Sequence, residues 1–241
     1  MSVRTILYLL AAAVMLAPSS ALPQGKTAEN TVGQKASWQE EFAISKCVFS
    51  PTGRNPYFVL EPGYQLVLED KADTKLVITV LAETRMVEGV LTRIIEEREW
   101  KGGELYEVAR NFFAICEQTK DVFYFGEEVD FYEKGKVVRH DGTWVAGKDG
   151  ARAGMMMPGV PKVGMKYYQE IAPGVAMDRA EIVSLNGKCD TPAGKFSKCM
   201  RVREGTALDP GTEEFKSYAP GIGFIRDGDL RLTKYGFIEK K

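Results

Sequence analysis

From Cys47 onward, nearly every apolar run in this chain is short and stops at Gly, Pro, Asn or Asp. That punctuation suits strands and leaves no room for long amphipathic helices. Pro56 to Asp70 splits at Glu61-Pro62-Gly63, and Leu76 to Arg85 with Val90 to Trp100 flank Val87-Glu88-Gly89 as a hairpin. In the second arm Val90, Thr92 and Ile94 share one face and Leu91, Arg93 and Ile95 the other, so both faces are expected to be covered. Lys101-Gly102-Gly103 turns the chain into Glu104 to Cys116, where Leu105, Ala109, Phe113 and Ile115 oppose Tyr106, Val108, Phe112 and Cys116. Further strands are expected at Val122 to Gly126, Phe131-Tyr132, Lys136 to Ala146, Met165 to Ile171, Ala176 to Leu185, Lys195 to Glu204, Glu213 to Tyr218 and Phe224 to Ile238. Met155 to Gly164, with three methionines and two prolines, reads as a loop packed on something apolar. No stretch alternates strands with helices, which excludes a parallel α/β sheet. The expected fold is all-β: one antiparallel domain, a meander curled into a half-barrel, barrel or sandwich.

Met1 to Ala21 has the form of a secretory signal. Arg4 supplies the positive charge, Ile6 to Ala17 the apolar core, and Ser19-Ser20-Ala21 the small residues of a cleavage site. The apolar core is too short to span a bilayer, so the mature chain is expected to carry no transmembrane span and to be exported, periplasmic or secreted. Residues 22–46 are polar and read as a flexible linker, leaving 47–241 as the β domain. Without Arg4 there remain 31 basic against 33 acidic side chains, a charge near −2 and well mixed, which argues against a nucleic-acid partner.

Four cysteines in an exported chain suggest two disulfides. Cys189 and Cys199 flank a turn-bearing segment centred on Gly194 and are expected opposite one another across a hairpin. Cys47 and Cys116 then pair by elimination.

Several segments resemble those of exported bacterial β-rich proteins of unknown function. They are Asn55-Pro56-Tyr57-Phe58-Val59-Leu60-Glu61-Pro62-Gly63-Tyr64, Thr191-Pro192-Ala193-Gly194-Lys195-Phe196 and Tyr218-Ala219-Pro220-Gly221-Ile222-Gly223-Phe224-Ile225. That family opens on a YFPL-x-x-G-like segment and closes on TPAG-x-F and YAPG-[VI]-G segments. Asn111-Phe112-Phe113 through Tyr124-Phe125-Gly126-Glu127-Glu128-Val129-Asp130 is similar to one subgroup. This chain departs from the pattern at Val59, where proline is usual, and in its cysteines. The resemblance implies an exported antiparallel β fold akin to the curved half-barrels of lipoprotein carriers, and it carries over no catalytic residue.

The functional expectation is a non-enzymatic protein without cofactor that binds an apolar small molecule, lipid or amphipathic ligand, or a cell-envelope protein. Phe112, Phe113, Phe123, Phe125 and Trp144 with Met155, Met156 and Met157 are the candidate pocket lining, and the same residues would serve as ordinary core. The alternative is a divalent-metal site built from Glu127, Glu128, Asp130, His140 and Asp141, since calcium or magnesium takes several oxygen ligands. A weaker alternative is a hydrolase centred on His140, the only histidine, although no nucleophile motif accompanies it.

Overall fold

The computed structural model describes residues 37–238, so the expected signal sequence and residues 22–36 of the expected linker lie outside the described residues. A 3-10 turn at Ile44–Lys46 leads into the first six strands: β1 (Phe49–Ser50), β2 (Gly53–Asn55), β3 (Phe58–Leu60), β4 (Tyr64–Glu69), β5 (Thr74–Val87) and β6 (Val90–Lys101). Next come β7 (Glu104–Cys116), β8 (Val122–Glu133), β9 (Lys136–Arg139), β10 (Trp144–Val145), β11 (Arg152–Met157), β12 (Lys166–Tyr168) and β13 (Glu170–Ile171). The last five are β14 (Asp178–Thr191), β15 (Gly194–Thr206), β16 (Glu213–Ala219), β17 (Gly223–Asp227) and β18 (Leu230–Phe237). The all-β expectation is met. Within the meander three details differ: Val122 to Glu133 is one strand with a positive φ at Gly126, the expected strand Lys136 to Ala146 breaks into β9 and β10, and Arg152–Met157 is a strand where a loop is expected.

Sequence neighbours pair in antiparallel fashion from β4 to β8 and from β14 to β18, and β18 returns to β4. The result is a large, nearly closed, barrel-like sheet. The run from Lys166 to Ile171 joins its two ends. Its first half, β12, pairs with β14, and its second half, β13, pairs with β11. The changeover falls at Gln169, whose N–H donates to Asp178 O of the first neighbour. Gly154 on β11 makes this seam possible, because a Cβ there would lie 2.2 Å from Gln169 O.

The hairpin β2–β3 crosses one end of the sheet. Phe58 packs edge-on to Phe113 at 5.2 Å, and Leu60 is fully buried. Asn55 Nδ2 donates to Lys120 O and Pro158 O, Tyr57 Oη donates to Lys198 O, and Gly221 N–H donates to Pro56 O. These bonds tie the hairpin to loops from both halves of the sheet.

Residues 37–48 pack against the sheet and Phe49–Ser50 pairs with the end of β7, so packing begins ten residues before the expected domain start. Gln39 bridges to Tyr167, Phe42 meets Phe123, and Phe49 meets Phe123 and Phe125. The Cys47–Cys116 disulfide, with Cα atoms 5.1 Å apart, fixes this strap as expected. Cys189 and Cys199 are free thiols, which corrects the second expected bridge. Register irregularities between β14 and β15 place Gly187 opposite Cys199 and Phe196 opposite Cys189, and the two thiols, diagonal across the strand pair, hydrogen-bond without being joined.

Elsewhere the outer face carries charge. Arg110 links Glu96 to Asp130, Arg85 pairs with Glu128, and Glu181 lies between Lys166 and Arg203. A lipid-facing barrel would present an apolar band there instead. Among the described residues no helix is long and apolar enough to cross a membrane.

The Cys47–Cys116 bridge spans 69 residues, so replacing both cysteines by serine should lower stability by about 4 kcal/mol in denaturant unfolding, on the chain-entropy estimate. Thiol labelling of the denatured native protein should then count two free cysteines. Gly154→Ala should overpack the seam and cost about 1–3 kcal/mol, whereas alanine at Gly211, where the added Cβ would meet Asp209 Oδ1 at an ordinary 3.8 Å, should cost much less.

Candidate functional site

Because side chains alternate across a strand, cross-strand registers trace which residues share the inner face. Val80, a core residue, lies opposite Ile95, which lies opposite Asn111, then Glu127, then Trp144. A parallel row runs from Ile78 through Glu97 and Ala109 to Val129, and a third from Leu76 through Glu99 to Glu107 and Phe131. On the opposite wall Tyr167 faces Ala180, followed by Glu204 and Glu214. Beside it run Ile182, Val202, Lys216 and Asp227. The inner face is thus apolar towards the β2–β3 hairpin and rich in carboxylates towards the other end.

These carboxylates converge. Glu170 on β13 feels the charges of Asp178, Glu127, Lys216 and Glu204, which come from four different strands. Burial, then Asp178 and Glu127, push its pKa well above the usual range. Glu127 is pushed up to about 8, chiefly by burial; the Tyr124 hydroxyl that donates to it lowers its pKa, while Glu107, Glu97 and Asp178 raise it. Burial also raises Asp178, against the opposing pull of Lys216 and a hydrogen bond from Thr206. Glu170 and Glu127 are half-buried and Asp178 is exposed. Water therefore reaches Asp178 freely, while protein mass surrounds Glu127 and Glu170. Glu204 is buried and its charge is matched by Lys216 Nζ at 2.5 Å, with Gln169 Nε2 and Tyr218 Oη donating to its other oxygen. It also backs a small depression of about 20 Å³, room for one water, edged by Trp38, Arg179 and Thr206.

Two polar atoms at this end are buried without a hydrogen-bond partner, Trp144 Nε1 and Tyr167 Oη. Trp144 stands opposite Glu127 with its ring edge-on to Tyr124. Tyr167 is almost fully buried with Glu204 as its charged neighbour, and burial pushes its phenol up.

The expected pocket residues are not brought together as one lining. Alternation along β7 and β8 sends Phe113 inward and Phe112, Phe123 and Phe125 outward, where Arg85 stacks on Phe112 and the 37–50 strap covers the others. Met155 faces Phe123 and Met157 faces Val122 across a register shift; both are buried, and Met156 is contacted by Gln169 Nε2. All eight side chains belong to the packed core or its border.

The expected metal set divides in the same way. Glu127 points inward to Tyr124, Glu128 outward to Arg85, Asp130 to Arg110, and Asp141 to Arg139. Among the described residues no group of three or more acidic, histidine or cysteine side chains is arranged to hold a metal ion. His140 is two-thirds exposed on the outer face, with Nδ1 within reach of Asp130 Oδ1 at 2.9 Å and Val129 O at 3.1 Å.

Glu170, Asp178, Glu204 and Tyr167 are the members that reading the sequence missed. A signal was present: Glu204 has the same parity as Met200 and Val202, and Asp178 the same parity as Ala180 and Ile182. A carboxylate continuing an apolar face marks a strand leaving the core for a wet interior. Compared with family models, curated proteins and solved structures, the chain has no significant match.

The raised Glu127 gives a pH prediction. The folded chain holds a proton on Glu127 that the unfolded chain releases near pH 4.5, so its contribution to stability is full below about 4.5 and is lost as pH rises towards about 8. The melting temperature should therefore fall between pH 5 and 8. Glu127→Gln should flatten that slope and raise the melting temperature at pH 8.

Proposed function

We propose that this chain is an exported binding protein, not an enzyme, which takes an amphipathic ligand at the carboxylate-lined mouth of its barrel. The observation that carries the reading is the asymmetry of the inner face. One end is packed with apolar side chains and stoppered by the β2–β3 hairpin, while the other gathers acidic groups that water still reaches. Nearby apolar surface is available for the rest of a ligand: Leu208 is exposed, and the neighbouring Ala207 N–H donates to Met177 O, next to Asp178.

Export agrees with the Cys47–Cys116 disulfide, which persists in oxidising compartments, and with the signal-like N-terminus. A ligand in this position would be held by shape and charge with no chemistry required of the protein. The reading replaces the aromatic pocket expected from sequence with a site one layer further along the barrel.

Protein purified from its own cell envelope and examined by native mass spectrometry should carry a ligand mass that denaturation releases. Leu208→Asp should reduce the occupied fraction without lowering the melting temperature of the ligand-free chain. A bare protein that shows no thermal shift with any amphiphile offered would count against the reading.

A further inference from the structure

We propose that Cys189 and Cys199 form a redox-active dithiol, which closes to a disulfide by exchange with a small disulfide and reopens in excess thiol. The pair sits near the tip of the β14–β15 hairpin, at the opposite end of these strands from Asp178 and Glu204. Both cysteines are free, yet their side chains hydrogen-bond, and the backbone of Cys189 also hydrogen-bonds the Cys199 sulfur. Two thiols in contact on neighbouring strands need only a small movement to be joined.

The local backbone is built to aim one sulfur at the other. Gly187 stands opposite Cys199 and Ser197 opposite Lys188, which leaves Lys198 as an extra residue in β15. Lys198 has a φ of 55°, a left-handed conformation that a residue with a side chain rarely adopts inside a strand. Tyr57 Oη donates to the Lys198 carbonyl and holds this bulge in place. Gly187 has no side chain, and a Cβ there would lie 3.4 Å from Cys199 Cβ, so the position facing Cys199 is empty and its diagonal neighbour is Cys189.

Burial sets the order of events. Cys189 is half-buried, whereas Cys199 is 1 % exposed, so a small disulfide meets Cys189 first. The Cys189 thiolate attacks one sulfur of the reagent; the reagent's S–S bond breaks, a mixed disulfide forms on Cys189, and the first leaving thiolate takes up the proton. Cys199 then loses its proton, attacks Cys189 Sγ and expels the second thiol. The two protein thiols are oxidised to one disulfide, and the reagent is reduced to two thiols. Burial, followed by the hydrogen bond with Cys189, pushes the Cys199 thiol up to about 12, which keeps it protonated until Cys189 has reacted. Closure ties β14 to β15 beside the hairpin tip, where Ala193 N–H donates to Leu232 O of β18.

The test uses the unmodified mature chain, equilibrated in mixtures of reduced and oxidised glutathione, acid-quenched, denatured and labelled at free thiols. As oxidised glutathione rises, the two free thiols should disappear, peptide mapping should find Cys189 joined to Cys199, and the melting temperature should rise because the closed loop constrains the unfolded chain. Excess reduced glutathione should restore both thiols while Cys47–Cys116 stays intact. Cys199→Ala should accumulate glutathione on Cys189, and Cys189→Ala should leave Cys199 unmodified in the folded chain. Two thiols that survive the most oxidising mixture overturn the proposal. So does a bridge that excess reduced glutathione fails to reopen, since that would be a permanent structural disulfide.

Discussion

The structure depends on closing a sheet whose two edge strands, β11 and β14, do not pair with each other directly. An open sheet of this size would leave two rows of unpaired N–H and C=O groups, which either template aggregation or must be covered. Here the six residues from Lys166 to Ile171 serve both ends, pairing first with β14 and then with β11. The exchange requires a close approach of backbones, and Gly154 allows it because no side chain stands between β11 and Gln169 O. Everything enclosed by the sheet, including its acidic end, exists because this seam holds.

Closure also explains how the two ends of the inner face diverge. Towards the β2–β3 hairpin, rows such as Val80 beside Ile95 and Ile182 beside Val202 fill the interior with apolar side chains. Further along the same strands, residues of the same parity become Glu99, Glu97, Glu204 and Asp178. Apolar burial in the first half supplies the driving force, roughly 25 cal/mol per Å², against which the second half can tolerate like charges held close together. The mouth is then a region where stability is given up locally, as binding sites often require.

Much of the architecture was legible in the sequence because turn residues and period-2 alternation are local signals. The hairpin at Glu88-Gly89, the turn at Gly102-Gly103 and the final strands around Pro220 follow directly from them. Pairing between remote strands has no such signal, and neither has register. Met155 to Met157 read as a loop because of Pro158 and Pro161, yet tertiary pairing with β8 extends them into a strand. Cys189 and Cys199 were expected directly opposite, and bulges between β14 and β15 make them diagonal neighbours whose thiols stay in contact unjoined. The aromatic cluster of β7 and β8 was visible as residues, and alternation already put Phe112 and Phe113 on opposite faces, but only the sheet shows which of those faces is the interior. The candidate site was least legible of all, since its members come from β8, β12, β13, β14 and β15 and meet only after closure.

The central claim is that carboxylates from several strands meet inside one mouth and hold protons that isolated side chains would release. Carbon-13 NMR of the glutamate and aspartate carboxyl groups across a pH titration tests this directly. The account predicts a carboxyl, lost in Glu127→Gln, that titrates near pH 8, together with a further raised group belonging to Glu170. Titration of every glutamate between pH 4 and 5, at the ordinary value near 4.3, would contradict it.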